Sequence, residues 1–140
     1  MSEENKAVVR RFYDEVMGQG NLDVLDELVT EDFKDHGEAL FGSPQGRNAL
    51  REAIIGGHNI FTDFNVYIED MITDGDMVGV RGTMRCYHHG QFMSAPPTGN
   101  QLSWKGLVMW RVVDGKAVER WFNSDGLSIL QQLNLVPVSL

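Results

Sequence analysis

Helical spacing in the first part of the chain, two alternating apolar runs each broken by an Asp-Gly pair, and the order of the two predict an α+β fold. Helices come first and strands last. About three N-terminal helices are therefore expected to pack on one face of a curved antiparallel sheet, with a short C-terminal helix to follow. A helical cover over such a sheet encloses a cone-shaped cavity.

From Glu3 to Met17, the residues Ala7, Val8, Phe12, Val16 and Met17 fall near helical spacing, with Ser2 placed to cap the start and Gly18 to stop it. Asn21 opens NLDVLDELV, where Leu22, Leu25 and Leu28 recur every third residue and predict a second short helix. EDFKDHG is too short for another helix and ends in glycine, so it reads as a brief strand or an extended link. After the Gly-Ser-Pro loop at 42–44, QGRNALREAIIGGHNIF places Leu50, Ile54, Ile55 and Phe61 on a third helix, with a bend expected at Gly56 and Gly57. FNVYIEDMITDGDMVGVRGTMRCYHH then alternates about Asp74-Gly75, and NQLSWKGLVMWRVVDGKAVERWFNSD about Asp114-Gly115, giving four strands in two hairpins. GLSILQQLNL supplies the last helix before Pro137. Without an internal repeat or linker, the 140 residues are expected to form one domain, 1–140, with one core and one site.

A net charge of −8 with only 12 scattered Lys and Arg residues excludes nucleic acid as a partner, because phosphate binding needs clustered cations. The balance suits a neutral small-molecule ligand. The charged opening MSEENKAVVRRFYDEV lacks a secretory apolar core, and no run nears the roughly 18 apolar residues of a membrane span, so a cytoplasmic address and no membrane contact are expected. The one cysteine, Cys86, has no partner for a disulfide and no second thiol for a metal, and reads as a small buried hydrophobe.

Strand parity sorts the candidate site residues. In Gln101–Val113, Leu102, Trp104, Gly106, Val108, Trp110 and Val112 share one face; Lys105, Leu107, Met109 and Arg111 share the other. Both faces are partly apolar, which predicts self-association into a homodimer or tetramer that covers the second. In the last strand Glu119, Trp121, Asn123 and Asp125 have one parity and Val118, Arg120 and Phe122 the other. Asp125 fits two roles. It can cap the final helix, or it can stand as a carboxylate at the mouth of an apolar cavity beside Trp121, Phe122 and Leu127, where desolvation would raise its pKa toward proton transfer. His36 and His88 are the other titratable groups able to face inward, although each also fits a surface or satisfied core position. His58 and His89 rank below them. The spacing of His36, His88 and Asp125 carries no metal-ligand signature, and no metal is expected. Without a Gly-rich phosphate loop, a Gly-x-Ser-x-Gly elbow or a cysteine in a basic patch, nucleophilic catalysis is disfavoured.

Between the hairpins lies HHGQFMSAPPTGNQL, which is either an ordinary turn or one wall of a pocket. Together with NKAVVRRFYDEVMGQGNLDVLDELVTEDFKDH before it and WRVVDGKAVERWFNSDGLSILQQL after it, this run resembles the SnoaL-like polyketide cyclases (ester cyclases) of the nuclear transport factor 2-like superfamily. The likeness extends over nearly the whole chain. It rests on an ordered set: His36 after the second helix, Arg81 and Thr83, then His88, Gly90, Phe92, Pro96 and Pro97, and last the Asp-Gly-Lys turn and an Asp four residues after Trp121. Cys86, Tyr87, Asn100 and Asn134 depart from the usual pattern. The resemblance implies a cofactor-free intramolecular aldol ring closure of a polyketide-like ester, of lyase or isomerase type, with Asp125 as acid and base. His36 and His88 would then hydrogen-bond carbonyls, while Tyr13, Phe92, Trp104 and Trp121 pack on planar rings. A non-catalytic protein binding a hydrophobic small molecule, or an epoxide-hydrolase-like enzyme, stands as the alternative, since this fold carries many functions.

Overall fold

The structure, a computed structural model, describes residues 2–138. Helix α1 (Ser2–Arg11) runs directly into a π-helical stretch at Phe12–Gly18, and the two together fill the first predicted helix. Val9, Phe12, Tyr13 and Val16 form its buried side. The second predicted helix is shorter than its leucine spacing implied. It is a 3-10 turn (Leu22–Val24) followed by a single turn, α2 (Leu25–Leu28), because Val29 leaves in an extended conformation to begin β1 (Val29–His36). Helix α3 (Arg47–Ile60) continues unbroken through Gly56 and Gly57.

The rest of the chain is β2 (Phe61–Asp74), β3 (Met77–His88), β4 (Gln101–Val113), β5 (Lys116–Ser124) and α4 (Gly126–Gln132). Gly75 has φ +60° at the first hairpin, and Asp114 and Gly115 have φ +51° and +79° at the second, the left-handed conformations that tight hairpin turns require. The sheet order is β1-β5-β4-β3-β2. Strands β2 to β5 form the expected antiparallel meander, but β1 joins β5 in parallel. A parallel pair needs a long crossover, and α3 with the three strands after it supplies one. Register shifts in β2 between Thr62 and Asn65 and between Ile68 and Asp70 mark bulges, which bend the long β2–β3 ribbon.

The alternation of β4 holds in three dimensions. Leu102, Trp104, Trp110 and Val112 are buried beneath the helices, whereas Lys105, Leu107 and Met109 are exposed on the outer face. Two apolar clusters share the inner face. One gathers Phe12, Leu25, Leu28, Phe33 and Trp110, the other Phe61, Cys86, Phe92, Trp104 and Ile129. Cys86 is a free, buried thiol, and burial pushes its pKa up to about 12. Among the described residues no helix is long and apolar enough to cross a membrane.

Candidate functional site

A cavity of about 430 Å³ takes its wall from both clusters. Phe12 and Tyr13 contribute from the π-helical stretch, Leu50, Ile54, Gly56 and Gly57 from α3, Phe61 and Phe64 from β2, Met84 from β3, and Trp104 and Gly106 from β4. Phe41 and Phe92 reach in from loops. The aromatic rings pack edge to face and tilted: Phe61 lies 5.3 Å from Phe92 and 5.7 Å from Trp104, and Phe64 lies 5.9 Å from Trp104. Such a wall favours a flat, apolar guest. Of the residues predicted to bind substrate, Tyr13, Phe92 and Trp104 stand on this wall.

Polar groups on the wall are few. Tyr13 Oη accepts a hydrogen bond from Trp110 Nε1 at 3.1 Å, and burial pushes the phenol up to about 12 against the opposing pull of Arg120. His58 carries a buried Nε2 with no protein partner among the described residues. Arg120 enters from β5, where strand parity turns Arg120, Phe122 and Ser124 inward. In the β1–β5 register Arg120 lies beside Asp35, and Arg120 Nη2 donates to Asp35 Oδ2. The Asp35 side chain is wholly buried, and its backbone is held by the Gln45 amide, which donates to Asp35 O at 2.6 Å and accepts from Asp35 N at 3.4 Å. Neither Asp35 nor Arg120 was singled out by motif. Their signal was a charge on an inward parity, which alternation exposes once the two strands are aligned.

The other predicted residues sit elsewhere, and the sequence left open whether His36, His88 and Asp125 meet; in the structure they stand apart. One position on from the inner Asp35/Arg120 pair, His36 and Trp121 are register partners that turn outward, and their rings stack at 4.9 Å with 8° between planes. His36 Nε2 meets Glu119 Oε2 at 2.7 Å, and Arg111 bridges Glu119 to Asp76. The hydrogen bond from His36, together with Arg111, holds the Glu119 carboxyl below its usual range. Trp121 is thus an outer-face residue, not a wall of the cavity.

His88, the last residue of β3, is completely buried but stands off the cavity wall, turned toward the loop that follows. Its Nδ1 accepts from the Thr98 backbone N–H at 3.3 Å and lies 3.0 Å from Thr98 Oγ1, which assigns the proton to Nε2. Backbone bonds from His88 N to Asn100 O and from Gly99 N to His88 O close the bracket. His88 therefore ties the end of β3 to the 98–100 end of the loop that delivers Phe92, while His89 is exposed. Asp125 is exposed. Its Oδ1 accepts from Ser128 N at 3.1 Å as the N-cap of α4, one residue beyond Ser124 on the cavity wall. Parity had already grouped Asp125 with the outward Glu119, Trp121 and Asn123. Among the described residues no group of three or more His, Cys, Asp or Glu side chains is placed to hold a metal ion.

With this geometry in place, comparison with known proteins is informative. The family model of the SnoaL-like polyketide cyclases matches residues 7–133. In solved structures, the chain is 31% identical to wild-type IdmH from Streptomyces antibioticus, a candidate polyketide cyclase, with a TM-score of 0.82 over 93% of this chain and 98% of that one. AclR from Streptomyces galilaeus, a candidate hydroxylase, superposes with a TM-score of 0.86 at 24% identity, covering 100% of this chain and 87% of its own. A SnoaL-like polyketide cyclase from Agrobacterium tumefaciens gives 0.76 at 19% identity, over 92% and 97%. No curated protein matches the chain in sequence. The family model spans most of the chain, residues 7–133, and the chain belongs to the SnoaL-like polyketide cyclase family.

Proposed function

We propose that the protein takes a polyketide-like ester into the cavity and closes one of its rings by an intramolecular aldol reaction. The observation that carries this reading is the cavity itself, large enough for a multi-ring molecule and walled by Phe61, Phe64, Phe92 and Trp104. Folding a flexible chain so that its methylene carbon meets its own ketone is a proximity effect, for which a shaped apolar wall suffices. Asp125 is the proposed acid and base. To act, the Asp125 carboxylate would release Ser128 N and turn to the cavity mouth beside Ser124; there it would take the proton from an activated methylene, the enolate carbon would form the new C–C bond, and the same proton would return to the alkoxide. The reaction is a net isomerisation with no co-reactant.

The cap bond of Asp125 favours a second reading, in which the same cavity binds its guest without turnover. One experiment separates them. An aromatic polyketide methyl ester with a free diketone arm is incubated with the wild type and with Asp125→Asn, and ring closure is followed by absorbance and mass. Loss of closure with retained binding supports the aldol reading. Binding with no closure in the wild type replaces it with the binding protein.

Self-association is part of the proposal. Tyr67, Leu107, Met109 and Val113 are exposed on the outer face, and a second copy of the chain would bury them.

A further inference from the structure

Arg120 is an unusual residue for the wall of an apolar cavity. A guanidinium has five N–H donors, yet among the described residues Asp35 is the one hydrogen-bond acceptor that meets it. Its Nε is buried without a partner. The rest of the group is faced by rings: Phe122 at 4.7 Å, Trp110 at 5.3 Å, and Phe12 and Phe33 each at 6.0 Å. Rings offer a cation their faces but accept few hydrogen bonds, so the donors of Arg120 remain under-used. Beside it Tyr13 Oη already accepts from Trp110, which leaves its own O–H as a donor. Asp35 Oδ1 is also buried without a partner, but Asp35 is not on the cavity wall, so the charged group that the wall presents at this end is the donor Arg120.

We infer that Arg120 is the specificity anchor of the cavity, receiving a neutral carbonyl oxygen of an otherwise apolar ring molecule, with Asp35 as the residue that positions it. This rests on the reading that the cavity takes a small-molecule guest, and it adds which end of the guest enters toward β5. The neutral character follows from charge. Asp35 already balances Arg120, so a carboxylate brought to the same place would leave one uncompensated negative charge in an apolar enclosure. A ketone or ester oxygen accepts the spare donors without that cost.

The test uses two probes with the same rings. The purified chain is titrated with 9-fluorenone and with fluorene, which differ in one carbonyl, by tryptophan fluorescence and calorimetry. The ketone is expected to bind about tenfold more tightly, the size of one hydrogen bond to a charged donor, and its infrared carbonyl band to move to lower wavenumber when bound. Fluorene-9-carboxylate is expected to bind more weakly than the ketone. The double variant Asp35→Asn/Arg120→Met removes both charges together, so no lone charge is left buried. It is expected to keep the fluorene affinity and lose the preference.

Equal binding of ketone and fluorene with an unshifted carbonyl band overturns the inference and leaves the cavity reading intact. Tighter binding of the carboxylate, or a preference that survives in the double variant, overturns it as well. If neither probe binds, the cavity reading fails and takes the anchor with it. Should the double variant not fold, Arg120→Lys keeps a charge beside Asp35 but loses the planar fork, and its preference is expected to fall toward unity.

Discussion

The guanidinium of Arg120 joins a residue on the cavity wall to the Asp35 carboxylate, a group shut away from solvent in the neighbouring parallel strand. Breaking such a pair from one side differs from removing it. Arg120→Met is expected to destabilise the fold by about 3–5 kcal/mol, because Asp35 is left charged and buried, whereas Asp35→Asn/Arg120→Met recovers most of that loss. Urea unfolding of Arg120→Met and of the double variant checks both statements.

Gly37 is a second point of intolerance. A Cβ there would stand 1.8 Å from the carbonyl oxygen of Gly42 and 3.0 Å from a ring carbon of Phe122. The first of these is backbone and cannot swing aside. Gly37→Ala is expected to cost about 1–3 kcal/mol or more by forcing the 38–42 turn away, and with it the 2.6 Å bond that Glu38 Oε2 accepts from Ser124 N. A lowered urea midpoint, with unchanged m-value, is the expected reading.

Gly106 gives the opposite outcome. Its Cβ would meet the Met84 methyl at 2.6 Å, but this is the end of a flexible side chain and both residues line the cavity. Gly106→Ala is expected to leave stability within about 1 kcal/mol while pushing Met84 into the guest's space. Titration with an apolar ring compound would show weaker binding and a near-normal thermal midpoint.

Alkaline stability follows from two buried groups. Burial raises Cys86 from 9.0 and Tyr13 from 10.0, each to about 12. Above pH 9 the unfolded thiol loses its proton before the folded one does, so the unfolded chain binds fewer protons and stability falls with rising pH. The phenol adds its share above pH 10. Denaturation curves from pH 8 to 11 are expected to show the decline, and Cys86→Ala to delay its onset.

The outer face supplies a fifth outcome. Leu107 is 62% exposed at the middle of β4, and Met109 lies beside it on the same face. Leu107→Lys/Met109→Lys is expected to abolish the proposed self-association with circular dichroism unchanged. Sedimentation of wild type and variant at equal concentration measures it.

Much of this architecture was legible before the fold was seen. The Asp-Gly pairs gave both hairpins, and the alternation of Leu102, Trp104, Trp110 and Val112 gave the buried face of β4. Local pattern could not give the pairing of β1 with β5, because a parallel contact is settled by a crossover and not by a turn. That pairing decides the site. With β1 in register, Asp35 turns inward and His36 outward, so the motif-bearing histidine and the buried carboxylate that holds Arg120 are adjacent residues with exchanged places. The sequence left His88 between a cavity role and a satisfied core position, and the Thr98 contact that occupies its Nδ1 comes from ten residues away across a loop. The cap role of Asp125 was visible in the sequence, and the outward parity of Asp125 was too.

The π-helical stretch after α1 closes on the Asp14 carbonyl from Gln19, five residues on, so it holds slack that an ordinary helix would not. That slack works as a phase setting between Ser2–Arg11 and everything downstream. A chain one residue shorter at Asp14 would rewind to regular α-helix, rotating the segment up to Tyr13 by about 100° relative to Val16. Val9, Phe12 and Tyr13 would then turn together out of line with Val16, and the lid over Trp110 would lose its fit. Length at this point is therefore fixed by geometry rather than by chemistry, and the identity of Asp14 matters less than its being present.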